Sequence, residues 1–200
     1  YRQLECVARK SEEKVNQSDI DGLYDIQWTD GVEFGLYNES MGGELRGLIQ
    51  MRDGNNGEYF NGTVDKVYYN IDTTRVVINT TADYLGNMSK CTLSDTGGKI
   101  NIGNQIYYYT DWTYDGDGNY SFTIDNKKSD MPLVSGKIGS ETFVGAEVRY
   151  QGIPYYMEQM NEWIRDFAKA INDIFTAGVT ADGEDAGILL TGNLLTEKGQ

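Results

Sequence analysis

Apolar residues recur along the chain with two different periods. Tyr120, Phe122 and Ile124 alternate with polar residues, which predicts a strand with one buried face. Residues 153–176 instead carry apolar side chains at spacings of three, four and one, which predicts a long amphipathic helix. Its apolar stripe consists of Ile153, Tyr156, Met160, Trp163, Ile164, Phe167, Ile171 and Ile174.

The ends of the long helix and a second, shorter helix are marked by local signals. Pro154 stands in the first turn, where its missing N–H costs no hydrogen bond, and Gly178 follows the last apolar residue. Residues 43–53 place Leu45, Leu48 and Ile49 on one helical face, and the Gly-Asn-Asn-Gly run at 54–57 ends this helix. We therefore expect a short helix and a long one.

Turn residues between alternating stretches predict hairpins elsewhere. Asp30-Gly31 lies at the tip of a tight hairpin, Gly103-Asn104 forms a two-residue turn, and residues 115–118 form a further turn. We expect two more short strands, around Ile138 and over residues 144–150.

A run rich in aromatic residues precedes the turn at 115–118. Strict alternation predicts Ile106, Tyr108, Trp112 and Tyr114 on one face of a long strand, with Tyr107 and Tyr109 on the other. Such a run forms either part of a sheet core or an exposed platform on which a sugar could stack. The second reading defines an alternative function, an extracellular carbohydrate-binding or adhesin module.

Together these elements predict an α+β protein. We expect β-rich domains with a short helix and one long amphipathic helix that pack side by side. Residues 1–54 and 151–200 are predicted to form one unit, into which a β-rich domain at 55–150 is inserted. An insertion must leave and re-enter its host at nearly one point, so Asp53 and Pro154 should lie close together.

Composition narrows the classes of function. The net charge of −14 in a chain of 200 residues disfavours nucleic acids and anionic membranes as partners. Histidine is absent, which removes the commonest general base and metal ligand, and we expect neither catalysis nor a cofactor. Cys6 and Cys91 are too few and too far apart for a disulfide framework; we expect small buried side chains, and a single bridge stays possible.

Two acidic segments invite a metal-binding interpretation. Asp115, Asp117 and Asn119 alternate as in the first half of a calcium loop, but Tyr120 stands where that loop needs glycine. Turn chemistry explains the same residues, and we expect a turn. The cluster of Asp182, Glu184 and Asp185 is expected to be a solvated loop.

Gly42-Gly43-Glu-Leu45-Arg-Gly47-Leu48 runs into Arg52-Asp53, and Ile153-Pro154 opens the long helix. The end of this helix carries Asn172 and Gly178, followed by Asp182-Gly183 and Gly187. In this order, the two helical segments and the turn after them resemble the FlgK family of flagellar hook-associated proteins. The sequence departs from the family pattern at Ile171 (usually Phe) and Phe175 (usually His), in its cysteines, and in the long insertion.

This resemblance implies a structural, extracellular protein that is secreted through the flagellar export apparatus. Its partners would be other copies of itself in a ring, the hook protein and the filament-side hook-associated protein. The chain, which begins at Tyr1 rather than Met, would be an internal piece. The long helix would supply the assembly face, formed by Tyr156, Met160, Trp163, Phe167, Ile171 and Ile174. The other reading of this stripe is a helix that covers the chain's own sheet, and one stripe could do both.

Overall fold

A computed structural model describes residues 2–9, 22–38, 40–87, 90–129 and 135–191. They form eight strands and two α-helices in an α+β arrangement, as predicted. A single turn of 3₁₀-helix, Ser135–Lys137, precedes the last strand. The elements are β1 (Leu4–Ala8), β2 (Tyr24–Trp28), α1 (Glu44–Asp53), β3 (Phe60–Tyr69), β4 (Thr73–Asn79), β5 (Gly98–Ile102), β6 (Gln105–Tyr114), β7 (Asn119–Asp125), β8 (Glu141–Val144) and α2 (Ile153–Thr176).

Strands β3 to β8 close into a six-stranded antiparallel barrel in the order β3-β4-β7-β6-β5-β8. Closure pairs Phe60 of β3 with Val144 of β8, so the barrel has no free edge strand. The predicted turn at Gly103-Asn104 is confirmed: both residues have positive φ, 54° and 62°, as a two-residue hairpin turn requires. Tyr120, Phe122 and Ile124 of β7 are all buried in the core, also as predicted.

One end of the barrel is filled by the connection between β4 and β5, which the sequence did not reveal. Tyr84 is 1% exposed, and its hydroxyl donates to the carbonyl of Asn61 (3.0 Å) and accepts from the amide of the same residue (2.9 Å). Leu93 and Cys91 complete this filling from the same connection. Cys91 is therefore a small buried side chain, as expected; Cys6 is exposed, contrary to expectation, and neither forms a disulfide.

A β-bulge makes the predicted faces of β6 wrong. The pairing of β6 with β7 shifts between Tyr109 and Asp111, so the side chains before and after the bulge follow different alternations. Tyr107 and Tyr109 consequently share the barrel interior with Trp112, whereas Ile106 is 46% exposed. The prediction of a strand around Ile138 is also wrong, because Ile138 lies in a turn. The prediction of a strand over residues 144–150 holds only for Val144, the last residue of β8, since residues 145–150 form no strand.

The chain enters and leaves the barrel through two segments that hydrogen-bond to each other. The amide of Asn56 donates to the carbonyl of Tyr150 (2.8 Å). The side chain of Asn55 donates to the carbonyl of Ala146 (2.9 Å) and accepts from the amide of Val148 (3.1 Å). Asn55 is 5% exposed, and it uses both polar atoms of its amide to hold the two crossings together.

The helices meet at this crossing. The carbonyl of Gly54, just after α1, accepts hydrogen bonds from the amides of Gly152 and Tyr155 at the start of α2 (3.1 Å each). The expected proximity of Asp53 and Pro154 is thereby confirmed. The assignment of residues 55–150 as an insertion into a unit formed by 1–54 and 151–200 stays a prediction.

Candidate assembly surface

Helix α2 spans Ile153–Thr176, the residues that the apolar periodicity predicts. Pro154 lies in its first turn, and it is the one residue of the helix that is fully buried. Near its other end, the side chain of Asn172 donates to the carbonyl of Leu190 (2.8 Å) and accepts from the amides of Leu189 (3.1 Å) and Leu190 (2.8 Å). Asn172 therefore fixes the chain that returns along the helix after the turn at 182–187.

The side of α2 that is turned toward the body of the chain includes charged residues and approaches the β4–β5 connection at Cys91. Glu158, Glu162 and Arg165 are half-buried. Glu158 and Arg165 lie near enough to the thiol of Cys91 to shift its pKa in opposite directions, although burial is the main reason that this pKa rises to about 12. The helix is thus turned with its apolar stripe away from the body of the chain.

The apolar stripe is consequently open to solvent. Trp163 and Phe167 stack on each other with ring centroids 5.7 Å apart, and they are 67% and 52% exposed. Of the predicted assembly face, only Ile171 is half-buried. The remaining members, Tyr156, Met160 and Ile174, are 56%, 64% and 69% exposed. The reading in which this stripe covers the chain's own sheet is therefore wrong.

Helix α1 adds exposed apolar side chains. Leu45 and Leu48 are 44% and 62% exposed, while Ile49, which the sequence placed on the same face, is buried. Met51 follows one turn after Leu48 and is 45% exposed. Large exposed apolar patches mark interaction surfaces in proteins. Burying a large apolar side chain contributes about 1.5–3 kcal/mol before the costs of association. A partner that covered the exposed side chains of these helices would therefore gain binding free energy from each of them.

A buried ionic cluster fixes α1 on the hairpin of β1 and β2. Asp53, which is 0% exposed, accepts hydrogen bonds from the Arg52 guanidinium (2.8 Å from Nε) and from the hydroxyl of Tyr37 (2.8 Å). Arg9, whose side chain is 2% exposed, donates to Asp25 of β2 (2.9 Å from Nε) and lies 3.6 Å from Asp53. The Arg-Asp pair of the family-like motif thus has a structural role, because it carries the charges that orient α1.

Three rings of the aromatic run of β6 are buried inside the barrel. The buried side chains are those of Tyr107, Tyr109 and Trp112. The indole N–H of Trp112 donates to the carbonyl of Ser94 (3.0 Å), and the hydroxyl of Tyr109 accepts from the amide of Ser94 (3.0 Å). These three rings are core residues, while Tyr108 and Tyr114 of the same run are half-buried. The carbohydrate-binding alternative stays a prediction without the three buried rings.

Both acidic segments form turns. Asp115 accepts hydrogen bonds from the amides of Asp117 (2.8 Å) and Asn119 (3.1 Å) and from the Asn119 side chain (2.8 Å), which is the predicted turn. The Asn119 side-chain bond, followed by the backbone bonds, lowers the pKa of Asp115. Across the described residues, no group of acidic residues and cysteines is arranged to hold a metal ion. The cluster at 182–185 is an exposed turn, as expected.

Comparison with known proteins finds no family model, no curated protein and no solved structure that matches the chain. Within the described part of the chain, no helix is both long enough and apolar enough to cross a membrane. The candidate site is therefore defined by its geometry alone. It consists of the exposed apolar stripe of α2; the exposed apolar side chains of α1 form a second apolar surface.

Proposed function

We propose that the chain is a structural subunit of the bacterial flagellar hook–filament junction and that α2 is its assembly face. The observation that carries this proposal is the orientation of α2, whose apolar stripe is exposed while Glu158, Glu162 and Arg165 on its other side are half-buried. A helix turned in this way is suited to contacts with other polypeptides. An enzyme has no comparable need for such a face, and we propose no catalytic activity and no cofactor.

The motif residues support the same proposal because several of them have structural roles. Asp53 holds the ionic cluster beneath α1, and Asn172 holds the returning chain at the end of α2. Gly54, directly after the first motif, accepts a hydrogen bond from the amide of Gly152, directly before α2. Residues in and beside the motif thus hold α1 and α2 at the crossing where the chain enters and leaves the barrel.

In this proposal the protein is extracellular and reaches its position through the flagellar export apparatus. Its partners are other copies of itself in a ring, the hook protein and the filament-side hook-associated protein. Neither nucleic acid nor a membrane is a partner, which is consistent with the charge of −14.

Immunogold electron microscopy tests the location. An antibody raised against the barrel, residues 58–145, is applied to intact flagellated cells that produce the protein, with cells lacking its gene as the control. The proposal predicts label at the single point where hook meets filament. Label spread over the cell envelope and absent from flagella would contradict it and would favour an adhesin.

A further inference from the structure

The firm attachment of α2 to the rest of the chain lies in its first turn. The amides of Gly152 and Tyr155 both donate to the carbonyl of Gly54 (3.1 Å each), and Pro154 is the one buried residue of the helix. All other residues of α2 are half-buried or exposed. A segment that buries so little apolar surface gains little free energy from staying in place.

The side of α2 that is turned toward the body of the chain is poorly matched to this position. It places Glu158, Glu162 and Arg165 in half-buried positions. One guanidinium nitrogen of Arg165, Nη2, is buried without a hydrogen-bond partner in the part of the chain that the structure describes. A buried donor that has lost water and gained no acceptor destabilises this closed position of α2 by the cost of its desolvation.

The other end of α2 is attached to its own continuation. The side chain of Asn172 donates to the carbonyl of Leu190 (2.8 Å) and accepts from the amides of Leu189 and Leu190. Ile188, Leu189 and Leu190 are all exposed. The helix beyond its first turn and the chain that returns along it therefore form one piece.

The barrel does not depend on α2 for its interior. Its core cluster extends from Phe60 to Val144 and, among the described residues, includes none from either helix. These two residues also pair with each other where β3 meets β8, so the barrel is closed by its own strands. Its entry and exit segments are joined by the side chain of Asn55. Loss of the contact with α2 therefore leaves the strand pairing of the barrel in place.

We infer that α2 is a strap that opens. Beyond its first turn, the helix detaches with its returning chain from the β4–β5 connection while the barrel stays folded. Elements that move are drawn from the parts of a protein with low local stability. Opening uncovers the side that carries Glu158, Glu162 and Arg165, in addition to the apolar stripe that is already exposed. This motion concerns only contacts within the chain, so it is independent of the proposed place in the flagellum.

Amide hydrogen exchange of the 200-residue chain, followed by NMR, tests this opening. Amides of residues 157–176 should exchange about a hundredfold faster than those of β4 and β7, yet more slowly than in an unfolded chain. Ile124→Val, which removes one methylene group from the barrel core, should speed exchange in β4 and β7 about fivefold. It should leave exchange in residues 157–176 unchanged, because these amides exchange without unfolding of the barrel.

Two substitutions on α2 test the role of the buried guanidinium. Arg165→Leu removes the donor that has no acceptor and should slow exchange in residues 157–176 about tenfold. Lys169→Leu is the matched control, since it removes the same charge from an exposed position of the same helix. It loses a surface pair with Asp173 and should change the rates by no more than about twofold. Circular dichroism verifies that each variant keeps its helical content.

Three results would overturn the opening of α2. One common exchange rate in α2 and the barrel, raised in both by Ile124→Val, would show a single cooperative unit. Exchange of residues 157–176 at the rate of an unfolded chain would show that the closed position is not populated. Rates that Arg165→Leu leaves unchanged or raises would show that the buried guanidinium does not weaken the contact. Gold label at the hook–filament point is independent of all three, so the two proposals fail separately.

Discussion

The amide of Gly152 donates a hydrogen bond to the carbonyl oxygen of Gly54, 3.1 Å away, at the point where the chain crosses itself between α1 and α2. Neither position tolerates a side chain. A Cβ on Gly152 would lie 2.5 Å from the carbonyl oxygen of Gln50 and 2.6 Å from that of Met51. The two glycines allow the backbones to approach closely, and this approach sets α2 relative to the barrel.

Gly152→Ala should therefore destabilise the protein by about 1–3 kcal/mol, because backbone atoms must move to admit the methyl group. Gly47→Ala is the matched control. Gly47 lies inside α1 with open space around its Cβ position, so alanine there should stabilise by about 0.5–1 kcal/mol. Urea unfolding followed by circular dichroism measures both, and equal stability of the two variants would contradict the close crossing.

Asp53→Asn should destabilise the protein by about 1–3 kcal/mol, because it removes the buried carboxylate that accepts from Arg52 and Tyr37, while Arg9 keeps its hydrogen bonds to Asp25. Asp72→Asn removes the carboxylate of an exposed pair with Lys127 (3.0 Å) and should change stability by less than about 1 kcal/mol. Thermal unfolding of the two variants makes the comparison. A small effect at Asp53 would show that the ionic cluster does not hold α1.

Stability should fall above about pH 10, where the tyrosines of the unfolded chain ionise. Burial and then the adjacent Asp53 carboxylate raise the pKa of Tyr37, and burial raises the pKa of Tyr109. The folded chain thus retains protons that the unfolded chain loses, so the contribution is complete below pH 10 and declines as the pH rises.

Denaturant unfolding between pH 8 and 11 measures this slope. In Tyr37→Phe the free energy of unfolding should fall less steeply with pH, by the equivalent of about one proton released on unfolding, since phenylalanine cannot ionise. An unchanged slope in Tyr37→Phe would show that this hydroxyl is exposed to solvent in the folded protein.

The two cysteines should react at very different rates with a thiol reagent at neutral pH. Cys6 is exposed, while Cys91 is 3% exposed and its thiol has a pKa raised to about 12 by burial. One thiol should therefore react in the folded protein and both after unfolding, as counted by mass spectrometry. Rapid labelling of Cys91 in the folded chain would mean that the barrel end opens.

The sequence sufficed to predict the elements that are determined locally. The bounds of α2 follow from its periodicity and Pro154, and the Gly103-Asn104 turn follows from residues that accept positive φ. The alternation of Tyr120, Phe122 and Ile124 likewise identified the buried face of β7. Each of these signals is contained within a few neighbouring residues.

Features that depend on distant contacts were missed. The bulge beside Tyr109 depends on pairing with β7. A prediction that assumes strict alternation along β6 does not show where one extra residue is inserted, so it assigns residues on one side of the bulge to the wrong face. Tyr84 fills the barrel end from a connection that has no periodicity. The direction in which α2 faces was left open, since an apolar stripe does not reveal whether its own chain or another covers it.

Site-specific photocrosslinking tests the central claim, that the stripe of α2 is an assembly face, most directly. A photoreactive phenylalanine analogue replaces Trp163 in one strain and Tyr69, 57% exposed on the barrel, in another. Purified flagella are irradiated and their polypeptides separated. The account predicts adducts with another axial polypeptide from position 163 and none from position 69. Flagella that contain the protein but yield no adduct from position 163 would contradict it.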